Sequence, residues 1–517
     1  MNRRAFERLV AVVHGRLAAG RLDSAAAWTR VAAAFATTNP HGALRDVRLD
    51  ETLDEISRAA LPAGAPASPG EGRRRVLHVL SEGHLIGGHL RMATRWIESD
   101  AESASSVIFT RPGFESPQLA SLARRHGGTA SALEFSSLVE RARLLRKAGQ
   151  EADVVICHTH CDDPVPAIAF GGDYAGPPVV MVNHADHVFG LGAGNISLLV
   201  SQREIAAEAA VTARGYPREC QFISPIPLPG VERGLPREEA KRSLGIDPSR
   251  IVALTLARTV KYRPAPWHPG FAEVVRPALA ALPELTLLAV GPDPDDPDWK
   301  GLAAANPGRV LTPGMQDAPD LYLDAADLYL DSFPFASITS MLEAAARGLP
   351  VLASRMYGGM ERLMSSAGPL DDVARGAADP AAYRAELASL VADPERRRIA
   401  GEAAAAAVRE HHGAAAWEVR RELIYARAAS VAPVRERSRP LADRAELEAY
   451  AEALMGIESR SPLLWTIGFC REGFDRPDRR SAAARLLLVR ATRALRRGST
   501  LRGPAASGLL IPHGGTT

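Results

Sequence analysis

The sequence has only four cysteines in 517 residues, at 157, 161, 220 and 470, and no C-x-x-C pair. So few thiols exclude a disulfide scaffold, the missing pair removes the usual redox motif, and both fit a reducing compartment. Long hydrophobic runs are lacking too: none reaches the ~20 residues needed to span a bilayer. The start, MNRRAFERLVAVVHGRLAAG, is basic and then apolar, but Glu7, His14 and Arg16 break it up and deny it a secretory core. Phe6, Leu9, Val10, Val13 and Leu17 instead share one helical face. Charge of one sign is the third absence. With 62 Lys+Arg against 60 Asp+Glu the formal net charge is +2, which gives no electrostatic reason to expect nucleic acid as a partner. The expectation is a soluble, cytoplasmic chain. Its 46% hydrophobic and 24% charged residues are those of a globular protein, and its length implies two or three domains.

Three helices are expected over residues 1–60, the second capped by Ser24 and striped by Trp28, Val31, Ala32 and Phe35. A single copy shows no repeat period. The Pro/Gly/Ala stretch LPAGAPASPGEG (61–72) closes this helical extension, so a first unit spans 1–72. From 73 to 228 short β-rich runs (75–81, 105–110, 153–159, 178–183, 196–201) alternate with helical patterns. That is the texture of βαβ units in a mostly parallel sheet. The proline-rich SPIPLPGVERGLP (224–236) leads to a second alternation (251–257, 285–291, 309–314, 327–332, 350–354), then an Ala-rich helical stretch to 430. The predicted fold is α/β: two Rossmann-like domains, 73–228 and 229–430, whose strand ends face a cleft. A tail, 431–517, is expected to be helical and then partly disordered.

The segment richest in chemistry is DLYLDSFPFASITSMLEAAARGLPVLAS (327–354). A strand runs to Asp331 and a helix opens near Ile338. Ser337, Thr339 and Ser340 stand at its start, where unpaired N–H groups and partial positive charge suit a diphosphate. Glu343, about a turn further on, is placed to accept hydrogen bonds from a ribose diol. Gly348 and Pro350 then end the helix and begin the next strand.

This stretch resembles the nucleotide-sugar site of two-domain (GT-B) glycosyltransferases. Their E-A-x-x-x-G-x-P-V pattern appears as Glu343-Ala344, Gly348 and Pro350-Val351. The Thr339-Ser340 pair followed by that carboxylate looks like the catalytic region of O-linked N-acetylglucosamine transferases. The large retaining family with paired glutamates is similar too, although Phe335 stands where many of its members carry the second glutamate. Ile338 stands where the O-linked transferases have His. In LTLARTVKYRP (254–264) the resemblance assigns Lys261, with Arg258 before it, to the donor's pyrophosphate. Cations there would neutralise the departing nucleoside diphosphate without a metal or other cofactor. In the 77–99 stretch, Gly87 and Gly88 precede a helix as in families where a glycine loop approaches the donor, and the GGH form with His89 resembles bacterial relatives.

Two further segments carry candidate acceptor-side groups. His184, Asp186 and His187 follow a strand end in VNHADHVFGLG; His187 with Asp186, or else His89, is placed to take a proton from an acceptor hydroxyl. VVICHTHCDDP (154–164) holds two cysteines, two histidines and two aspartates. Strand alternation sends Cys157, Thr159 and Cys161 one way and His158 and His160 the other, which disperses any metal ligands. His160 and Asp162 are then expected to wall the acceptor side. A zinc site assembled with His184 or His187 remains open as an alternative.

The reading is therefore a glycosyltransferase (hexosyl or N-acetylhexosaminyl) that uses a UDP-sugar and a sugar, lipid-linked or protein acceptor. A basic helix over 479–498 allows peripheral contact with the inner face of an anionic membrane. Three alternatives stand beside it: a degenerate nucleotide-sugar-binding scaffold, a UDP-sugar epimerase, and a metal-dependent single-domain transferase using Asp293-Pro294-Asp295 as a D-x-D motif.

Overall fold

The computed structural model describes residues 2–63, 72–83, 88–228, 233–368, 370–435 and 440–455. Its strands form two all-parallel sheets. The first holds β1 (Arg74–Leu80), β2 (Ser103–Phe109), β3 (Ala130–Ala132), β4 (Val154–His158), β5 (Val179–Val182), β6 (Leu198–Ser201) and β7 (Gln221–Ile223), in the order β3-β2-β1-β4-β5-β6-β7. The second holds β8 (Ile251–Leu256), β9 (Leu285–Val290), β10 (Val310–Gly314), β11 (Leu328–Leu330), β12 (Val351–Ser354) and β13 (Arg375–Ala377), in the order β10-β9-β8-β11-β12-β13. Strands β4, β5 and β6 are buried along their whole length, the reason they read as continuous apolar runs and not as alternating ones. The sequence pattern passed over β3, β7 and β13, each only three residues long. Among the described residues no helix is long and apolar enough to cross a membrane.

The N-terminal helices, Asn2–Ala18, Leu22–Thr38 and Val47–Ala60, do not form an appendage. They pack on helices Leu138–Gln150 and Pro164–Ala169, and Phe6, Trp28, Val31 and Ile56 share one core with Leu77, Val79, Val155 and Cys157 of the sheet. Ser24 is not a cap: the helix begins at Leu22, and Ser24 is buried in its first turn. The preceding Asp23 carboxylate instead accepts from the backbone N–H of Val139, tying the extension to the next layer.

The opposite face of the first sheet is covered by a helix from the far end of the chain. Ala414–Ser430 lays Trp417, Ile424 and Tyr425 against Trp96, Ile156, Val180 and Val200. Trp96 Nε1 donates to Tyr425 Oη at 2.8 Å, Tyr425 Oη donates to buried Asp100 at 2.7 Å, and Trp417 Nε1 donates to Ser99 at 2.7 Å. The expected second unit, 229–430, is thus interrupted before its end, where the chain returns to the first sheet. The preceding helix, Pro394–His412, stays with the second sheet through Ala404 and Val408. Its Gly401 lies so close to Gly348 that a Cβ would sit 2.1 Å from that residue's carbonyl oxygen.

Alternation at the end of β4 holds as expected. Cys157 faces the core shared with the N-terminal helices, and His158 faces Trp96 and His78. His158 Nε2 lies 3.3 Å from His78 Nδ1, and its Nδ1 lies 3.3 Å from His184 Nε2. A neutral imidazole has one donor and one acceptor nitrogen, so an uncharged His158 can donate to one of these neighbours and accept from the other. Burial holds His78 down to about 3 and His158 well below the ordinary 6.5. The unfolded chain takes up these protons below about pH 6.5 and the folded chain does not, so stability present at neutral pH is lost as pH falls from there toward 3. His78 alone is expected to cost about 2 kcal/mol by about pH 5, and His158 adds to the loss in the same direction. Urea unfolding near pH 7.5 and near pH 5 measures this; His78→Phe should flatten the difference, and an unchanged difference contradicts the assignment.

Candidate functional site

The carboxyl ends of the two sheets face each other across a cavity of about 390 Å³. From the first domain it is lined by Gly88, His89, Arg91 and Arg95 of the helix Gly88–Ser99, by His184, Asp186 and His187 after β5, and by Arg203 after β6. From the second come Arg258 and Lys261 after β8, and Ser337 and Thr339 at the start of the helix Ile338–Ala346 after β11. Most of the residues picked from sequence therefore meet in one place. Gly87 lies outside the described residues.

The 338–346 helix presents its N-terminus to this space. Ser337 makes no side-chain cap; its hydroxyl reaches Ser340 Oγ at 3.3 Å and its backbone N–H donates to Asp331 at 3.0 Å. The N–H groups of 338–340 have no intrahelical acceptor by the geometry of a helix start, and nothing at the cap replaces it. Ser340 is buried beneath Ser337 and does not line the cavity. Asp331 is buried under the loop, where desolvation raises its carboxyl despite the Ser337 N–H and Lys261.

Lys261 projects beside that helix start. Its ammonium donates to the Ala336 carbonyl at 2.7 Å and lies 4.5 Å from the centre of the Phe335 ring. Phe335 also meets His187 edge-on at 4.9 Å, so the aromatic ring holds a lysine and a histidine from opposite domains around one point. Arg258 is exposed, and its guanidinium makes no hydrogen bond to the described residues. Among the described residues, the lining carries Arg91, Arg95, Arg203, Arg258 and Lys261 against the single carboxylate of Asp186.

That carboxylate is neutralised. Asp186 Oδ2 accepts from Arg203 at 2.6 Å, and Oδ1 lies 3.3 Å from His187 Nδ1. Burial pushes the carboxyl up, but Arg203 and His187 outweigh it and hold it below the ordinary range. Arg203 also donates to the carbonyls of Ser365 and Leu363, so it straps the second domain to the first. The arrangement orients the His187 ring through a carboxylate and leaves Asp186 shared between His187 and Arg203.

His89 is a different case. Its ring stacks on His184 at 4.2 Å and meets His160 at 4.8 Å, and burial and His160 lower it to about 3. His184 is held well below 6.5 by burial and its histidine neighbours. Neither takes a proton readily near neutral pH; among the described residues, His187 is the candidate base with a carboxylate partner in the cleft.

The wall expected from His160 and Asp162 is displaced. His160 sits behind His89, with its N–H donated to Ser81. Asp162 faces away, bound to Arg111 at 2.8 Å and beside Arg30 of the second N-terminal helix at 3.7 Å. Burial raises its carboxyl, but Arg111 and Arg30 prevail and keep it ionised. It holds the extension to the sheet and does not face the cleft. Asp293 and Asp295 lie in an exposed loop where Asp295 pairs with Lys300 at 2.7 Å. Among the described residues no group of three or more His, Cys, Asp or Glu side chains is arranged to hold a metal.

Glu343 does not line the cavity. It lies just behind the lining, where both Arg91 and Arg95 donate to its Oε1 at 3.2 Å. Sequence reading missed these two arginines and Arg203. The i, i+4 spacing of Arg91 and Arg95 directly after the GGH turn was the available signal, since it stacks both on one helix face.

No family model and no curated protein sequence matches the chain. Solved structures do. A mutant of the Thermobaculum terrenum O-GlcNAc transferase is 17% identical with a TM-score of 0.52, over 82% of this chain and 81% of that one. The Anabaena protein HepE, in complex with UDP and glucose, is 16% identical with a TM-score of 0.50, over 69% of this chain and 100% of that one. A glycosyltransferase from Rickettsia africae is 13% identical with a TM-score of 0.52, over 69% and 98%. At such identities the likeness speaks for architecture alone, and it agrees with the sheet orders and the facing strand ends: the chain has the GT-B fold, two Rossmann-like domains across a cleft.

Proposed function

We propose that the protein is a glycosyltransferase that takes a sugar from a UDP-sugar and needs no metal ion. The observation that carries this is the composition of the cleft. Among the described residues, five cationic side chains and an uncapped helix N-terminus converge on one cavity whose one lining carboxylate, Asp186, is paired with Arg203 of the five. Such a site selects a ligand with two or more negative charges, and a nucleoside diphosphate fits both the charge and the helix start. The similar HepE structure holds UDP and glucose, which supports the choice of nucleotide.

In this reading Ser337, Thr339, Arg258 and Lys261 hold the diphosphate, with Ser340 supporting Ser337 from beneath. As the bond to the sugar breaks, charge develops on the leaving diphosphate. Fixed cations stabilise that charge more in the transition state than in the bound donor, the role a divalent ion has elsewhere. The acceptor enters past Gly88, His89 and His184, and its hydroxyl gives its proton to His187, oriented by Asp186. The low basicity of His89 and His184 suits them to shape the acceptor's path without taking its proton.

Lys261→Ala should weaken UDP binding about 10- to 100-fold, the worth of a charge-assisted hydrogen bond. Calorimetry measures it, and wild-type affinity refutes the donor-site assignment. His187→Ala should lower kcat about 100-fold or more while leaving the UDP dissociation constant within about two-fold; a change confined to KM contradicts its role as base. EDTA should leave turnover intact, and activity restored only by added divalent metal would remove the metal-independent mechanism.

A further inference from the structure

The contact between Arg91, Arg95 and Glu343 crosses the cleft. The arginines belong to the helix Gly88–Ser99 of the first domain, and Glu343 to the helix Ile338–Ala346 of the second. Both guanidinium groups donate to one oxygen, Oε1, and Oε2 accepts no hydrogen bond from the described residues. One carboxylate cannot neutralise two guanidinium groups, so the cluster keeps a net positive charge. Its bonds are also long. At 3.2 Å each they exceed the 2.6 Å of Arg203 to Asp186 and the 2.7 Å of Arg111 to Glu82 elsewhere in the same domain. Arg91 and Arg95 line the same cavity as Lys261 and Arg258, while Glu343 sits just behind it. Arg95 is tethered as well to the Pro227 carbonyl, on the segment where the chain passes between domains, at 3.0 Å.

We propose that this cluster is a charge-exchange latch. With the cleft empty, Arg91 and Arg95 occupy Glu343 and draw the two domains together. A diphosphate carries at least two negative charges and outcompetes a single carboxylate for the guanidinium groups. When they turn to the phosphates, Glu343 is released and its carboxylate accepts hydrogen bonds from the ribose hydroxyls. The inference rests on the donor-site reading above and adds to it two binding residues and an order of events. The phosphates engage first, and the nucleoside gains its carboxylate partner only as a consequence. A nucleoside without phosphates must break the latch unaided and therefore binds poorly.

Calorimetry with inorganic pyrophosphate, uridine and UDP tests this on the full chain. Glu343→Gln removes the competing charge with little change of shape, and it should bind pyrophosphate at least three-fold more tightly than wild type. Arg91→Met with Arg95→Met should bind pyrophosphate and UDP at least ten-fold more weakly, yet bind uridine at least three-fold more tightly because Glu343 is unlatched. Unchanged or weaker pyrophosphate binding by the Glu343→Gln protein overturns the latch whether or not the double variant folds. A double variant that loses UDP with no gain for uridine makes the arginines phosphate ligands alone and also overturns it. Failure of the wild-type protein to bind either UDP or pyrophosphate removes the donor site itself, a separate result from any pattern among the variants.

Discussion

Everything at the cleft depends on the helix Ala414–Ser430 docking back on the first sheet. Two Rossmann-like domains joined by a single crossing would hinge freely, and the helix start at 338 would have no fixed partner. Burial of Trp417, Ile424 and Tyr425 against Trp96 and the sheet makes a second attachment, and it places the Tyr425 hydrogen bond to Asp100 where water is excluded, beside the Trp417 bond to half-buried Ser99. Each of those bonds would be costly to leave unmade in that setting, so the docked position is specified as well as stable. The Arg203 strap from Asp186 to the carbonyls of Leu363 and Ser365 then sets the width of the cleft from inside.

Charge is divided between two uses. Arg111 and Arg30 lie buried around Asp162, with Glu82 on the other side of Arg111, and their charges are consumed in holding the N-terminal helices to the sheet. Among the described residues, five cations at the cleft meet two carboxylates, Asp186 on Arg203 and Glu343 between Arg91 and Arg95, so a surplus of positive charge remains. A near-neutral chain can in this way offer a strongly cationic site. The buried histidines follow the same division. His78 and His158 stay neutral and pass hydrogen bonds along a column into the cleft wall, while His187, with a carboxylate beside it, is the one placed for proton transfer.

Much of this was legible in the sequence. The two alternations of strand and helix, the helix start after β11, and the strand-end loops bearing Lys261 and His187 all follow from local pattern, because parallel strands are uniformly apolar and their carboxyl ends carry the chemistry. What was not legible depended on long-range partners. Asp162 looked like a cleft residue until Arg111 and Arg30 approached it from distant segments. Glu343 carried the right motif, but its present partners sit on a helix some 250 residues earlier. Ser24 had the side chain of a cap, yet the helix begins at Leu22 because buried packing on the next layer extends it. The return of the 414–430 helix to the first sheet left no local signature at all, since an amphipathic helix does not record which sheet its apolar face will meet.

The central claim is that the cleft is a nucleoside-diphosphate site assembled from cationic side chains and a helix start. A thermal-shift screen of UDP, GDP, ADP and their sugars, run in EDTA, tests it most directly. Binding to the folded state alone stabilises it by about 2.7 kcal/mol at ~100-fold excess over the dissociation constant, enough for a clear rise in the unfolding midpoint. The account predicts that UDP and UDP-sugars raise the midpoint without metal. No shift with any nucleoside diphosphate or its sugar would contradict it.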